Sequence, residues 1–187
     1  MKTGIIALIA IGIAVLFGSQ FVSERNNLAA ARETIQAQWS QVDADLQRRA
    51  DLIPNLVETV KGYAKEETAV MEAVASARSA LIRPGTPQNK IDANNELTSA
   101  LGRLLVISEN YPNLKANENF RQLQYELAGT ENRILQSRRR YNDAVKDYNV
   151  ALSQFPANIV GLISGFHRED AYFKTDPVGR VVPRVQF

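Results

Sequence analysis

Arg49 and Arg138 fall at positions where the surrounding residues repeat with an apolar helical period. A guanidinium taken out of water needs a carboxylate, and its planar fork suits a two-point contact with one. Glu58 and Glu131 are the candidate partners. In a competing arrangement both arginines lie at the margin of a bundle, stems packed and heads in water. The role is structural in either case. The chain has no Cys and one His, His167, which excludes thiol chemistry, disulfides and a His-rich metal site. No serine sits in a recognisable nucleophile turn, no glycine loop is built to cradle a phosphate, and no zinc or calcium spacing is present. Glu66-Glu67 and Glu169-Asp170 are adjacent pairs, which diverge on a helix and suit a solvated face. The sequence therefore predicts no catalytic residue, no metal and no cofactor.

Two further groups carry polar atoms into apolar runs. Tyr141-Asn142 and Tyr148-Asn149 repeat at seven residues, which stacks both tyrosines on one seam with their hydroxyls reaching for polar partners. Arg138-Arg139-Arg140 would suit lipid headgroups or cell-wall polymers. Glu131, Asp143 and Asp147 interleave acid nearby, so a solvated face is the simpler expectation. His167, without a second ligand near it, reads as surface.

The elements that must position these residues are helices. From Leu28, steps of four and three land on Arg32, Ile35, Trp39, Val42, Leu46, Arg49, Ile53, Leu56, Val60, Tyr63, Glu67, Val70, Val74, Ala77 and Leu81. All but Arg32, Arg49 and Glu67 are apolar or aromatic, a sustained heptad seam of coiled-coil type. Arg83-Pro-Gly-Thr-Pro87 ends it. A second run covers Ile91 to about Asn110, with Leu97, Leu101, Leu104, Leu105 and Ile107 available for burial, and Tyr111-Pro112-Asn113 breaks it. The last long helix is predicted from about Ala116 to Ser153, with one stutter near Ile134 that fits a globular bundle better than a fibrous coiled coil. The fold class is all-α. Pro54 sits inside the first seam, and Asp51 could cap a new helix there. The seam keeps phase across Pro54, which favours one kinked helix over a turn.

These helices follow an apolar segment. Gly4 to Val22 carries no charge, and Glu24-Arg25 ends it. Such a run spans roughly 30 Å as a helix at ~1.5 Å per residue, the thickness of a bilayer's hydrocarbon core. A cleaved secretory signal competes, but small residues are poorly placed for a cut: Leu16 stands two before Gly18, and Phe17 two before Ser19. With no Cys there is no lipidated form, so a retained transmembrane anchor is expected. Lys2 keeps the amino terminus inside by the positive-inside rule, although Arg25 on the other flank weakens the asymmetry. Ala7, Ala10, Ala14 and Gly18 fall near one face, where small residues would let two anchors approach; Gly and Ala are also simply common in membrane helices. Lys and Arg total 22 against 20 Asp and Glu, a balance with no electrostatic footprint for nucleic acid.

Several blocks resemble the LemA family: Trp39-Ser40, Arg48 through Tyr63, Glu109 through Phe120, and Leu127 through Ile134. Arg139-Arg-Tyr141-Asn142-Asp-Ala-Val145, Tyr148-Asn149, Phe155-Pro156 and Tyr172-Phe173 continue the resemblance, which covers the chain from about residue 25 onward. It implies a membrane-anchored, extracytoplasmic antiparallel four-helix bundle and little about activity. Many relatives carry a lipidated Cys that this chain lacks, so the helix itself must be the anchor. An up-and-down bundle would also want a real turn near Asp51–Asn55, against the reading of the seam.

Phe155 through Phe166 is an uncharged stretch too short to span a bilayer. With Ile159 and Leu162 it would lie either on the bilayer or a neighbouring subunit beside the anchor, or over the end of the bundle to cover the core. Asp176 through Phe187, with two prolines and no period, reads as an extended tail that could dock on another chain or add a strand. The expected organisation is an anchor at 1–23, a helical bundle at 24–154 and the apolar segment and tail at 155–187. The expected role is a non-catalytic, self-associating scaffold on the outer side of the bacterial cytoplasmic membrane, partnered by the lipid bilayer and by copies of itself. An adaptor subunit for another envelope protein, such as a membrane metallopeptidase, is the alternative, and the latter idea follows from the family resemblance alone.

Overall fold

The computed structural model describes residues 2–173, and all secondary structure among them is helical. In chain order the helices are α1 (Lys2–Lys61), α2 (Thr68–Ile82), α3 (Pro87–Ser108), α4 (Pro112–Ala116), α5 (Glu118–Ser153) and α6 (Ala157–Ser164). The predicted tail at Asp176–Phe187 lies outside the described residues. The rest divides into two compact units, one of residues 2–41 with Arg139–Asp170, the other of Val42–Arg138 with residues 171–173. Both long helices, α1 and α5, contribute to each.

In the first unit Leu28 and Ile35 of α1 and Tyr141, Val145 and Tyr148 of α5 are buried. Trp39 meets Tyr141 edge-on, ring centroids 5.3 Å apart at 62°, a favoured aromatic geometry. The tyrosines are core, as their seven-residue spacing predicts. The other end of α1 is different in kind: every residue from Gly4 to Gln20 is exposed. It is the one described helix long and apolar enough to cross a membrane.

In the second unit Val42, Leu46, Ile53, Leu56 and Val60 of α1 are buried, along with Val74 and Leu81 of α2, Leu97 and Leu104 of α3, and Phe120 and Ile134 of α5. Helix α2 packs against α3. The breaker cluster between them supplies the start of α3: Pro87 stands in its first turn, and the Thr86 hydroxyl accepts from the Asn89 N–H at 3.3 Å. Asn117 does the same for α5, its side-chain oxygen accepting from the Phe120 N–H at 3.0 Å.

Two expectations need correction. The first seam is not one helix to Leu81, because α1 stops at Lys61 and α2 begins at Thr68. Gly62, a poor helix former, follows the last helical residue, and the seam residues Tyr63 and Glu67 make loop contacts instead. The Tyr63 hydroxyl accepts from Asn117 Nδ2 at 3.0 Å, and Glu67 Oε1 accepts from the Tyr111 hydroxyl at 3.1 Å. Conversely, no turn interrupts the chain at Asp51–Asn55, where the family resemblance called for one. Pro54 lies inside α1.

The structure shows how a helix tolerates that proline. Pro54 has no N–H, so the Ala50 carbonyl four residues earlier loses its helical donor. Arg78 of α2 fills the gap, its Nε donating to the Ala50 oxygen at 2.8 Å. A charged donor to a partly buried carbonyl is a good replacement for the missing amide. Arg78→Met should therefore destabilise the protein by about 1–3 kcal/mol. In a Pro54→Ala background, where residue 54 donates for itself, the same substitution should cost clearly less. Thermal unfolding of the four variants in detergent measures this coupling, and strict additivity would show that Arg78 does not substitute for the lost donor.

Candidate functional site

The second unit holds a groove of about 460 Å³ at whose base lies a charge. Arg49 of α1 is 5% exposed. Its Nη1 donates to Asn94 Oδ1 at 2.8 Å and Thr98 Oγ1 at 3.1 Å, both on α3, and lies 2.9 Å from Glu131 Oε2 of α5. Burial pulls the Arg49 pKa below its ordinary value, the Glu131 carboxylate pushes it back, and the Arg138 charge adds to the lowering. Apolar walls flank this pair: Leu56, Leu101, Leu105 and Leu127. Leu105, expected in the core, is 41% exposed and faces solvent at this site.

The pair is held, but its hydrogen-bonding capacity is not used up. Arg49 Nε and Asn94 Nδ2 are buried donors with no acceptor, and Glu131 Oε2, close to Nη1 in charge, is not aligned as a hydrogen-bond acceptor. Buried donors left open in this way are uncommon in a finished core. Chemically, the groove offers an apolar bed with the Arg49–Glu131 pair set into it.

Of the residues singled out in the sequence, Arg49 and Glu131 come together here, and the marginal placement of Arg49 is overturned. Arg138 is half-buried, its guanidinium 4.5 Å over the Phe173 ring, a cation–π distance. Glu58 is not a partner of either arginine; it is exposed and pairs with Lys61 at 3.2 Å. Pro54 is exposed on α1, and Tyr141 is buried in the first unit. Ile159 and Leu162 are exposed on α6, and Ala10, Ala14 and Gly18 are exposed on the apolar part of α1. Asn94 and Thr98 were missed. The signal was present, since Asn94 interrupts the apolar face shared by Ile91, Leu97 and Leu101.

In the first unit a second polar arrangement fixes the chain after α6. The Tyr148 hydroxyl donates to the His167 carbonyl at 2.8 Å. Asn149 Nδ2 donates to the Glu169 carbonyl at 2.7 Å, and Asn149 Oδ1 accepts from the Glu169 N–H at 3.0 Å. One side chain thus satisfies both backbone groups of one residue. His167 is on the surface as expected, but its carbonyl is put to use.

Both arrangements can be probed by substitution. Glu131→Met strands a buried cation and should cost about 1–3 kcal/mol, the lower part of the range because water reaches the carboxylate. Adding Arg49→Met to it should cost less than Arg49→Met does alone; additive losses in denaturant unfolding would mean the two residues are not coupled. For Tyr148, burial raises the pKa above the ordinary tyrosine value, with Arg32 opposing and Glu169 reinforcing. A raised folded-state pKa gives stability that is complete below the unfolded-state value and is lost as pH rises through the folded-state one. The wild type should therefore lose stability on alkalinisation more steeply than Tyr148→Phe, and parallel pH profiles would contradict the assignment.

The described residues define an all-helical protein with one long N-terminal helix apolar enough to cross a membrane. The family model described as the LemA family matches residues 38–187, and the chain belongs to that family. It is similar to magnetosome protein MamQ 2 of Paramagnetospirillum magneticum, at 25% identity over 92% of this chain and 74% of the relative. It is likewise similar to magnetosome protein MamQ of Magnetospirillum gryphiswaldense, at 25% identity over 88% and 70%. Protein LemA of Metamycoplasma hominis is also 25% identical, over 82% of this chain and 69% of its own length.

Proposed function

We propose that this protein is a non-catalytic scaffold that self-associates in the bacterial cytoplasmic membrane and holds its helical units on the outer side. The observation that carries the reading is the uncovered anchor. From Gly4 to Gln20 no residue is buried against the rest of the chain, including the face that bears Ala7, Ala10, Ala14 and Gly18. No described side chain or backbone comes within 4 Å of where a Cβ on Gly4, Gly12 or Gly18 would stand, beyond the helix itself. In a bilayer such a small-residue face lets two backbones approach closely and pack without a hydrophobic driving force. Lys2 on the short flank supports the amino terminus inside.

The absence of native Cys makes the test clean. Single Cys variants at Ala10, Ala14 and Gly18, oxidised in native membranes, should form disulfide-linked dimers, whereas Ile9→Cys and Leu16→Cys should not. Equal dimer yields around the helix, or none at all, would contradict self-association through this face. An adaptor role is the second reading, favoured by the apolar groove beside the Arg49–Glu131 pair. It predicts instead that photo-cross-linkers at Leu105 capture one other envelope protein as the main product.

A further inference from the structure

Helix α6 is built inside out. Its inward residues are small: Ala157, Val160 and Gly161 are buried, and Ser164 is half-buried. Apart from Asn158, its outward residues are large and apolar: Phe155, just before the helix, is 79% exposed, Leu162 82%, Ile163 68% and Ile159 50%. At 100° per residue the three that lie within the helix, Ile159, Leu162 and Ile163, fall within one face of about 100°. A helix covering a bundle end would do the opposite, turning its leucine and isoleucines inward and its small residues out. A water-soluble surface rarely leaves so many large apolar side chains together.

The helix is also fixed in this orientation. A Cβ on Gly161 would collide with Leu152 Cδ1 and stand 3.7 Å from Leu28 Cδ1, so α6 lies almost backbone-close on these two leucines. Gly165 ends it at φ 73°, in the left-handed region that favours glycine, and the Phe166 N–H closes onto the Gly161 carbonyl at 2.9 Å. Tyr148 and Asn149 then hold residues 167 and 169 to α5. The outward face is therefore not a loose segment that could turn over to hide itself.

Its place on α1 says what covers it. Leu28 stands five residues beyond Ser23, the end of the uncharged run, which is about 7.5 Å along the helix axis. The headgroup region adds roughly 5–8 Å to each side of the hydrocarbon core. We propose that α6 is a second membrane contact, with Phe155, Ile159, Leu162 and Ile163 immersed at the boundary between headgroups and acyl chains beside the anchor. An interfacial helix has this composition on its buried side. This contact would fix the height of the first unit above the bilayer, which a lone spanning helix does not. The inference rests on the anchor crossing the bilayer.

The full chain, reconstituted into vesicles of phosphatidylethanolamine and phosphatidylglycerol, provides the test. Single Cys variants at Ile159, Leu162, Ala14 and the exposed Gln36 of α1 would carry an environment-sensitive fluorophore. Labels at Ile159 and Leu162 should be quenched by spin-labelled lipids and be several-fold less accessible to aqueous iodide than the label at Gln36. If Leu162 behaves like Gln36, the face is solvated and the inference falls. If Leu162 is shielded from both quenchers, protein covers it, a second copy or another partner, and the inference falls again. If the label at Ala14 also escapes lipid quenching, the anchor reading itself has failed, which separates the two. In an Ile159→Asp/Leu162→Asp variant, a label at Ile163 should move from lipid to water with helicity retained. Unfolding of the chain by that pair would show that the face belongs to the core.

Discussion

The structure is organised around an uncharged helical surface that the rest of the described chain does not cover. In water, the segment from Gly4 to Phe21 would expose a continuous sleeve of isoleucine, leucine, valine and phenylalanine, far beyond the apolar patches that soluble proteins carry. A bilayer removes that cost and imposes a condition, since every backbone group inside it must be satisfied within the segment. An uninterrupted helix meets the condition. Helix α1 then continues past the charged Glu24-Arg25 without a break, so that the same element supplies both the apolar sleeve and core residues of each compact unit.

Continuity of α1 sets a problem at Pro54, and the solution recurs elsewhere in the molecule. A backbone carbonyl left without a donor is met by a side chain from another helix, Arg78. The Arg49 guanidinium is met by Asn94, Thr98 and Glu131, and the backbone of His167 and Glu169 by Tyr148 and Asn149. Each of these long-range polar contacts joins elements far apart in sequence, where apolar packing alone would tolerate several rotations and slides. They locate α2 and α3 on α1, and they pin the chain that leaves α6. Among the described residues, satisfaction is incomplete around Arg49, where its Nε and the Asn94 Nδ2 are buried without an acceptor.

The sequence revealed whatever periodicity and composition encode. The apolar run, the helical class and the burial of Tyr141 and Tyr148 were all legible, because each depends on local spacing or hydrophobic content. The family was legible from long motif blocks. The break after Lys61 was not, since the heptad seam runs through it in phase; Gly62 is the local signal, and Tyr63 and Glu67 are engaged by Asn117 and Tyr111 from elsewhere in the chain. Pro54 was ambiguous for the same reason. Local rules weigh a lost hydrogen bond against an unbroken phase within the seam, and the answer lay in Arg78, a residue of a different helix. The partner of Arg49 was legible as a carboxylate choice between Glu58 and Glu131, but only the three-dimensional meeting of α1 with α5 selects Glu131. The inverted face of α6 required knowing which of its residues turn inward, which its uniformly apolar composition conceals.

Residues 4 to 21 are proposed to hold this protein in a membrane as a permanent helical anchor. Alkaline carbonate extraction of membranes carrying the full chain tests it most directly, with a variant lacking 4–21 alongside. The full chain should stay in the pellet at its full mass, with the shortened chain released and still helical. Release of the full chain into the supernatant, or recovery of a mature form cut near Gly18, would contradict it.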